Sequence, residues 1–389
     1  MFYGGAPLGH LQAVRLNFLS YPDDLGVMVQ PRARKRSRAL RQLAIEARKA
    51  RGFGKPLAAA LMQGLARVLP RAPQLFETIE NWPCDLASDG VIFRLNAGLH
   101  ALALAGRAKG LEPLYGVDGP PRMVPPAALD RALVQVLNDE AEPLFDWLSH
   151  PTQTNEVARV AGLVAALLEL GRSGQMPCEV LELGASAGLN LNLMHYAFDL
   201  GGQPVCAMRS TVRLAPAWRG RAVAAGPLAI TQARGVDLHP LDVTDPADRQ
   251  SLEAYVWPGE TARSARLAAA IGIARAHPPL VEPGLASAWL LRRFAAPQSA
   301  GVRRVVFHSM VLQYANPAER AAIDTAFALA AANAQADRPL ARVAIEWRAD
   351  RTAVELRIAE WDGGARQGEA RLAATCHPYG EWIDWHGLA

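Results

Sequence analysis

Cysteine is scarce in this chain. Four occur in 389 residues (Cys84, Cys178, Cys206 and Cys376), far apart and with no C-x-x-C pair. That usage excludes a zinc ribbon and a disulfide-stapled scaffold, and it fits a reducing, cytoplasmic compartment. No metal site is expected. Long apolar runs are also missing: a membrane span needs roughly 20 apolar residues, and the stretch 97–105 is broken by His100. Association with a membrane is therefore not expected. No charged n-region followed by an apolar h-region opens the chain, so no signal peptide is expected either.

What remains is ordinary for a globular protein: half the residues are hydrophobic and a fifth are charged. The net charge of +4 is unevenly placed. Nine basic residues between Gln30 and Arg51 face one acid, Glu46, so the rest of the chain is net acidic. A run such as PRARKRSR can bind nucleic acid or an anionic surface. The alternative is a solvated, disordered arm leading into the first helix. A nucleic-acid partner would rest on that arm alone, and a small-molecule substrate is expected instead. The sequence leaves the oligomeric state open.

The chain is long enough for two domains. Residues 1–38 form the basic arm. Residues 39–150 read as helical, with Leu40, Leu43 and Ala47 on one face and Leu57, Leu61, Leu65 and Val68 on the next. Leu95, Leu99 and Leu102, then Leu129, Leu133 and Leu137, continue the pattern, with prolines between them.

The grammar changes in 151–389. A helix is expected over 155–170 with Thr154 as its N-cap. Strands follow at 179–183, 228–236, 280–282, 302–308 and 343–347, alternating with helices at 189–198, 263–276, 286–295 and 317–334. That alternation predicts an α/β fold with a mostly parallel, Rossmann-like sheet. The tail, VELRIAEW, DGG and ARLAATCHPYGEWIDW, predicts an antiparallel hairpin at the sheet edge. Residues 204–226 read as a hairpin insertion.

Chemistry concentrates in EVLELGASAGLNLNL. Gly184 permits a turn at positive φ, Ala185 and Ser186 keep side chains small, and Gly188 lets backbone approach a ligand before a helix containing Asn190. Such a helix start can meet a carboxylate, and Glu182 can bond an amino group. Asp237, ending the next strand, can accept both hydroxyls of a ribose. This set fits S-adenosylmethionine. GASAG is equally a G-x-S-x-G nucleophile elbow, in which Ser186 would attack an acyl group with His308 or His377 as base. An elbow normally follows several strands, whereas everything upstream here reads as helical. A third reading is a non-catalytic ligand-binding protein. His308 and Glu346, at the ends of later strands, are the candidate catalytic residues, with His308 as general base.

Several segments also carry a family resemblance: HPTQTNEV, ELGASAGLNL, VRLAPAWRG, RGVDLHPLDVTDPADR, AYVWPG, FHS and HPYGEWIDW. In this order, across residues 41–385, they resemble the bacterial family called domain of unknown function 2332. The resemblance implies a methyltransferase-type Rossmann domain behind a helical N-terminal part. It also implies Gly-Asp-Ala after the third strand, with an acid for the adenine amino group. This chain has Gly284-Leu285-Ala286 there, and Glu282 is the acid left to substitute.

Overall fold

The protein is described by a computed structural model covering residues 37–207 and 209–388. The basic arm, except for Ser37 and Arg38, lies outside the described residues. Seven helices come first: α1 (Arg38–Gly52), α2 (Pro56–Val68), α3 (Pro73–Glu80), α4 (Val91–Leu104), α5 (Glu112–Tyr115), α6 (Pro126–Asp139) and α7 (Ala141–Ser149). Their local signals are conventional. Ser37 caps α1 by accepting from the Leu40 N–H at 3.2 Å, and proline opens α2, α3 and α6. Leu43, Leu61, Leu65, Leu95, Leu99, Leu129 and Leu133 meet in one hydrophobic core.

The segment expected as one helix over 155–170 is split. A 3-10 turn, Val157–Arg159, precedes α8 (Val160–Leu170), and the cap is Glu156, which accepts from the Ala158 N–H at 3.1 Å. Thr154 does not cap it. All of α8 is buried. Gly162 lets it lie against the sheet, since a Cβ there would stand 2.8 Å from Ile345 and 3.0 Å from Leu356.

The chain then enters the sheet with β1 (Cys178–Leu183). It continues through β2 (Ala197–Asp199), β3 (Pro204–Cys206), β4 (Arg213–Leu214), β5 (Ala217–Gly220) and β6 (Ile230–Asp237). Helices α9 (Pro246–Ala254) and α10 (Thr261–Ala276) lead to β7 (Val281–Pro283) and α11 (Ala286–Ala295). Then come β8 (Arg303–Ser309), α12 (Pro317–Ala331), β9 (Leu340–Trp347), β10 (Val354–Trp361), β11 (Arg371–Cys376) and β12 (Trp382–Trp385). The main sheet has nine strands in the order β5-β12-β11-β10-β9-β8-β1-β6-β7. Strands β7, β6, β1, β8 and β9 are mutually parallel, and β10, β11 and β12 continue antiparallel. The protein is thus mixed α/β with a large, mostly parallel central sheet.

Alternation along the central strands serves two faces. Val180, Val305, Phe307 and Val343 pack with α8 and α10. Leu181, Leu183 and Val306 pack with Trp289 and Leu290 of α11 and Phe327 of α12. Residues 37–389 form one compact unit, so the helical part, despite its own core, is a layer on the sheet. His100 in α4 ties the two together, its Nδ1–H shared between the carbonyls of Ala254 (3.3 Å) and Val256 (3.1 Å).

Two further local expectations fail. Residues 189–198 are a 3-10 segment, Leu189–His195, followed by β2, with Asn192 outside helical geometry. Asn190 and Asn192 are buried, and asparagine side chains compete with backbone for hydrogen bonds. Residues 204–226 are no simple hairpin. Strands β3, β2 and β4 make a small separate sheet, while β5 crosses to the far edge and pairs parallel with β12.

Candidate functional site

Strand order reverses at β1. The chain goes from β1 to β6 and β7 on one side, then returns to β8 and β9 on the other. A crevice forms at such a switch point beyond the carboxyl ends of the strands. Here the helical layer roofs it, leaving a cavity of about 440 Å³. The floor includes Gly184, Ser186, Asp237, Ser309 and Met310; Phe53, Met62, Phe93 and Trp257 bring an apolar upper wall.

The glycine turn is held tightly. Asp237 accepts from the Ser186 N–H at 2.8 Å through Oδ2 and from the His239 N–H at 2.9 Å through Oδ1. The Ser186 hydroxyl donates to Gln153 Oε1 at 2.7 Å, and Asn155 donates to the Ala185 carbonyl at 2.7 Å. The glycines themselves face protein. A Cβ on Gly184 would lie 2.2 Å from Val311 Cγ2, and one on Gly188 would lie 2.7 Å from Val281 Cγ2. Gly188 therefore accommodates neighbouring side chains, where the sequence predicted approach to a ligand.

Backbone strain gathers at this point. Ser186 (φ 52°) and Met310 (φ 57°) are non-glycine residues in the left-handed region, at the carboxyl ends of adjacent strands β1 and β8. Such conformations cost roughly 1–2 kcal/mol each and cluster at ligand sites.

The predicted site residues divide into two groups. Gly184, Ser186 and Asp237 line the cavity; Leu285, in place of the expected acid, also lines it and is 52 % exposed. Glu182, Ala185, Gly188, Asn190, Glu282, His308 and Glu346 do not line it. Glu182 is 2 % exposed and bonded to Asn190 Nδ2 at 2.8 Å, and burial, reinforced by the Asp237 charge, pushes its pKa up to about 8. It is a buried neutral carboxyl below that pH and has no path to a ligand amine. Glu282 pairs with Arg293, which occupies the acid expected to reach adenine.

His308, the expected general base, is 1 % exposed and has no free ring nitrogen. Arg342 Nε donates to its Nε2 at 3.0 Å, so Nδ1 carries the proton and donates to Glu346 Oε1 at 2.8 Å. Burial lowers its pKa, which keeps it neutral. Glu346 also accepts from the N–H groups of Val311 (3.2 Å) and Leu312 (3.3 Å). The pair holds the loop that fills Gly184. Among the described residues no histidine ring bonds to Ser186, whose proton goes to an amide. The triad that an elbow requires is not assembled.

Other lining groups escaped the sequence reading. Arg159, Tyr314 and Tyr379 all face the cavity. Tyr314 stands 45 % exposed within it; desolvation raises its phenol pKa, and Arg159 offsets part of that rise. Tyr379 lies in the segment HPYGEWIDW, which the sequence pattern assigned to a hairpin.

The fold and cavity define a mixed α/β protein with a ligand-sized crevice at a topological switch point. Its family follows: the chain matches domain of unknown function 2332, an uncharacterized protein conserved in bacteria, over residues 40–385, and belongs to it. No curated protein and no solved structure matches the chain.

Proposed function

We propose that the protein is an S-adenosylmethionine-dependent methyltransferase of Rossmann-like type, acting on a small-molecule acceptor in the cytoplasm. One observation carries this reading. Asp237 stands at the carboxyl end of β6, beside the first strand and its glycine turn, on the wall of the cavity. Its two oxygens are fixed by the Ser186 and His239 N–H groups, and each retains a lone pair for a ribose hydroxyl. Exposed Leu238 and Leu285 on the same wall suit the faces of an adenine. A volume of about 440 Å³ is within the usual range for small-molecule sites. The cofactor would supply the activated methyl group; the chain would supply binding, orientation and a roof against water.

The predicted base plays no part in this version. His308 and Glu346 position the loop at residues 311–312, and the acceptor must carry its own nucleophile or lose its proton to another cavity group.

Calorimetry tests the reading. Wild type should bind S-adenosylmethionine and S-adenosylhomocysteine, and Asp237→Asn should bind each at least tenfold more weakly, since a charge-assisted bond contributes about 1.5–3 kcal/mol. Absence of heat with both nucleosides at high protein concentration would remove the proposal.

A further inference from the structure

Arg159 is 8 % exposed, and among the described residues no carboxylate lies within 4.0 Å of its guanidinium. Its Nε–H donates to the Pro378 carbonyl at 2.8 Å, and among the described residues its two terminal nitrogens have no hydrogen-bond partner. They are not sealed off, and the residue lines the cavity. Glu156, the acid that attracts it most, is taken by Arg263 at 2.6 Å and Arg266 at 2.9 Å. Glu260 is shared between Arg263 (2.8 Å) and Lys55 (3.2 Å). A cation desolvated this far is unfavourable until an anion joins it.

The surroundings supply more donors. Tyr379 accepts from Trp257 Nε1 at 3.2 Å, and among the described residues its own O–H proton has no acceptor. Its ring lies under Arg263, whose Cζ is 4.7 Å from the ring centroid. The phenols of Tyr379 and Tyr314 both feel the charge of Arg159. The turn carrying Tyr379 is locked onto the turn carrying Arg159: a Cβ on Gly380 would stand 2.7 Å from the Ala158 carbonyl carbon. Tyr379 follows β11 and Asp237 ends β6, so the two cavity-lining groups are carried by different elements of the sheet.

We propose that Arg159, with the Tyr379 hydroxyl, forms a subsite for an anionic oxygen group, so that the protein's ligand is a carboxylic acid or phosphate ester with an apolar body. The subsite stands whether or not the protein uses S-adenosylmethionine. The apolar body follows from Phe53, Phe93 and Trp257 on the same cavity. Either anion satisfies a guanidinium fork.

Thermal denaturation at constant ionic strength, with no nucleoside present, is the test. Benzoate, phenyl phosphate and uncharged benzamide are titrated into wild type, Arg159→Met and Tyr379→Phe. Wild type should show a saturable rise in Tm with at least one of the two anions and none with benzamide; the better anion identifies the class. Arg159→Met should weaken that response at least tenfold while leaving the unliganded Tm equal or higher, because it removes an unpaired buried charge. Tyr379→Phe should weaken it severalfold with the fold intact. Identical titrations in wild type and Arg159→Met, or no saturable response of folded wild type to either anion, would overturn the proposal. Should Arg159→Met fail to fold, an unchanged response in Tyr379→Phe and Arg159→Lys would overturn it equally.

Discussion

Glu182→Gln is expected to stabilise the protein at neutral and alkaline pH, by on the order of 3 kcal/mol at pH 7. The folded carboxyl has a pKa of about 8, against an ordinary value of 4.5, because burial disfavours its charge. Between those two values the folded state keeps a proton that the unfolded chain has released. Stability therefore falls as pH rises from 4.5 to 8, by about 1.4 kcal/mol per unit. Glutamine keeps an acceptor oxygen for Asn190 and never ionises, so the slope should vanish. His100 runs the other way. Burial lowers its pKa to about 4, so its contribution is complete above 6.5 and lost as pH falls toward 4. Urea denaturation of wild type and variant at pH 5 and pH 8 separates the two. A Glu182→Gln protein weakened equally at both would mean that the carboxylate is charged and needed in the native state.

Gly184→Ala is expected to destabilise by about 2–5 kcal/mol. Its φ of 66° costs an alanine roughly 1–2 kcal/mol, and overpacking adds roughly 1–3 kcal/mol. The clash is specific: the new methyl would stand 2.2 Å from Val311 Cγ2. Valine is stiff at χ1, and the Val311 N–H is tied to Glu346, so retreat is blocked. Adding Val311→Ala should recover the steric share and leave the conformational one. Equilibrium unfolding of the two variants measures both. A stable Gly184→Ala protein that merely lost ligand binding would instead make this glycine part of a cofactor cradle.

The parts of the fold governed by local pattern were legible in the sequence. The five parallel strands fall within three residues of their predicted bounds at each end, and α11 spans Ala286–Ala295 as the pattern predicted. Long-range choices were not legible. Nothing near AWRG says that β5 will cross to the edge beside β12. The helix expected after Gly188 gives way because Asn190 turns its side chain to Glu182.

The site divides on the same principle. The place of Asp237 on the cavity was legible from its position at a strand end. His308 was not, since the pattern that set it at a strand mouth cannot show Arg342 and Glu346 closing on both ring nitrogens. Arg159 sits in an apolar run, VARVAGL, where the sequence shows a charge but not whether it has a partner.

A crystal structure with S-adenosylhomocysteine decides whether the cavity is a nucleoside site. Nucleoside density is expected above Gly184 and Ser186, with both ribose hydroxyls on Asp237. An empty cavity at saturating nucleoside, or density that leaves Asp237 untouched, would contradict this expectation.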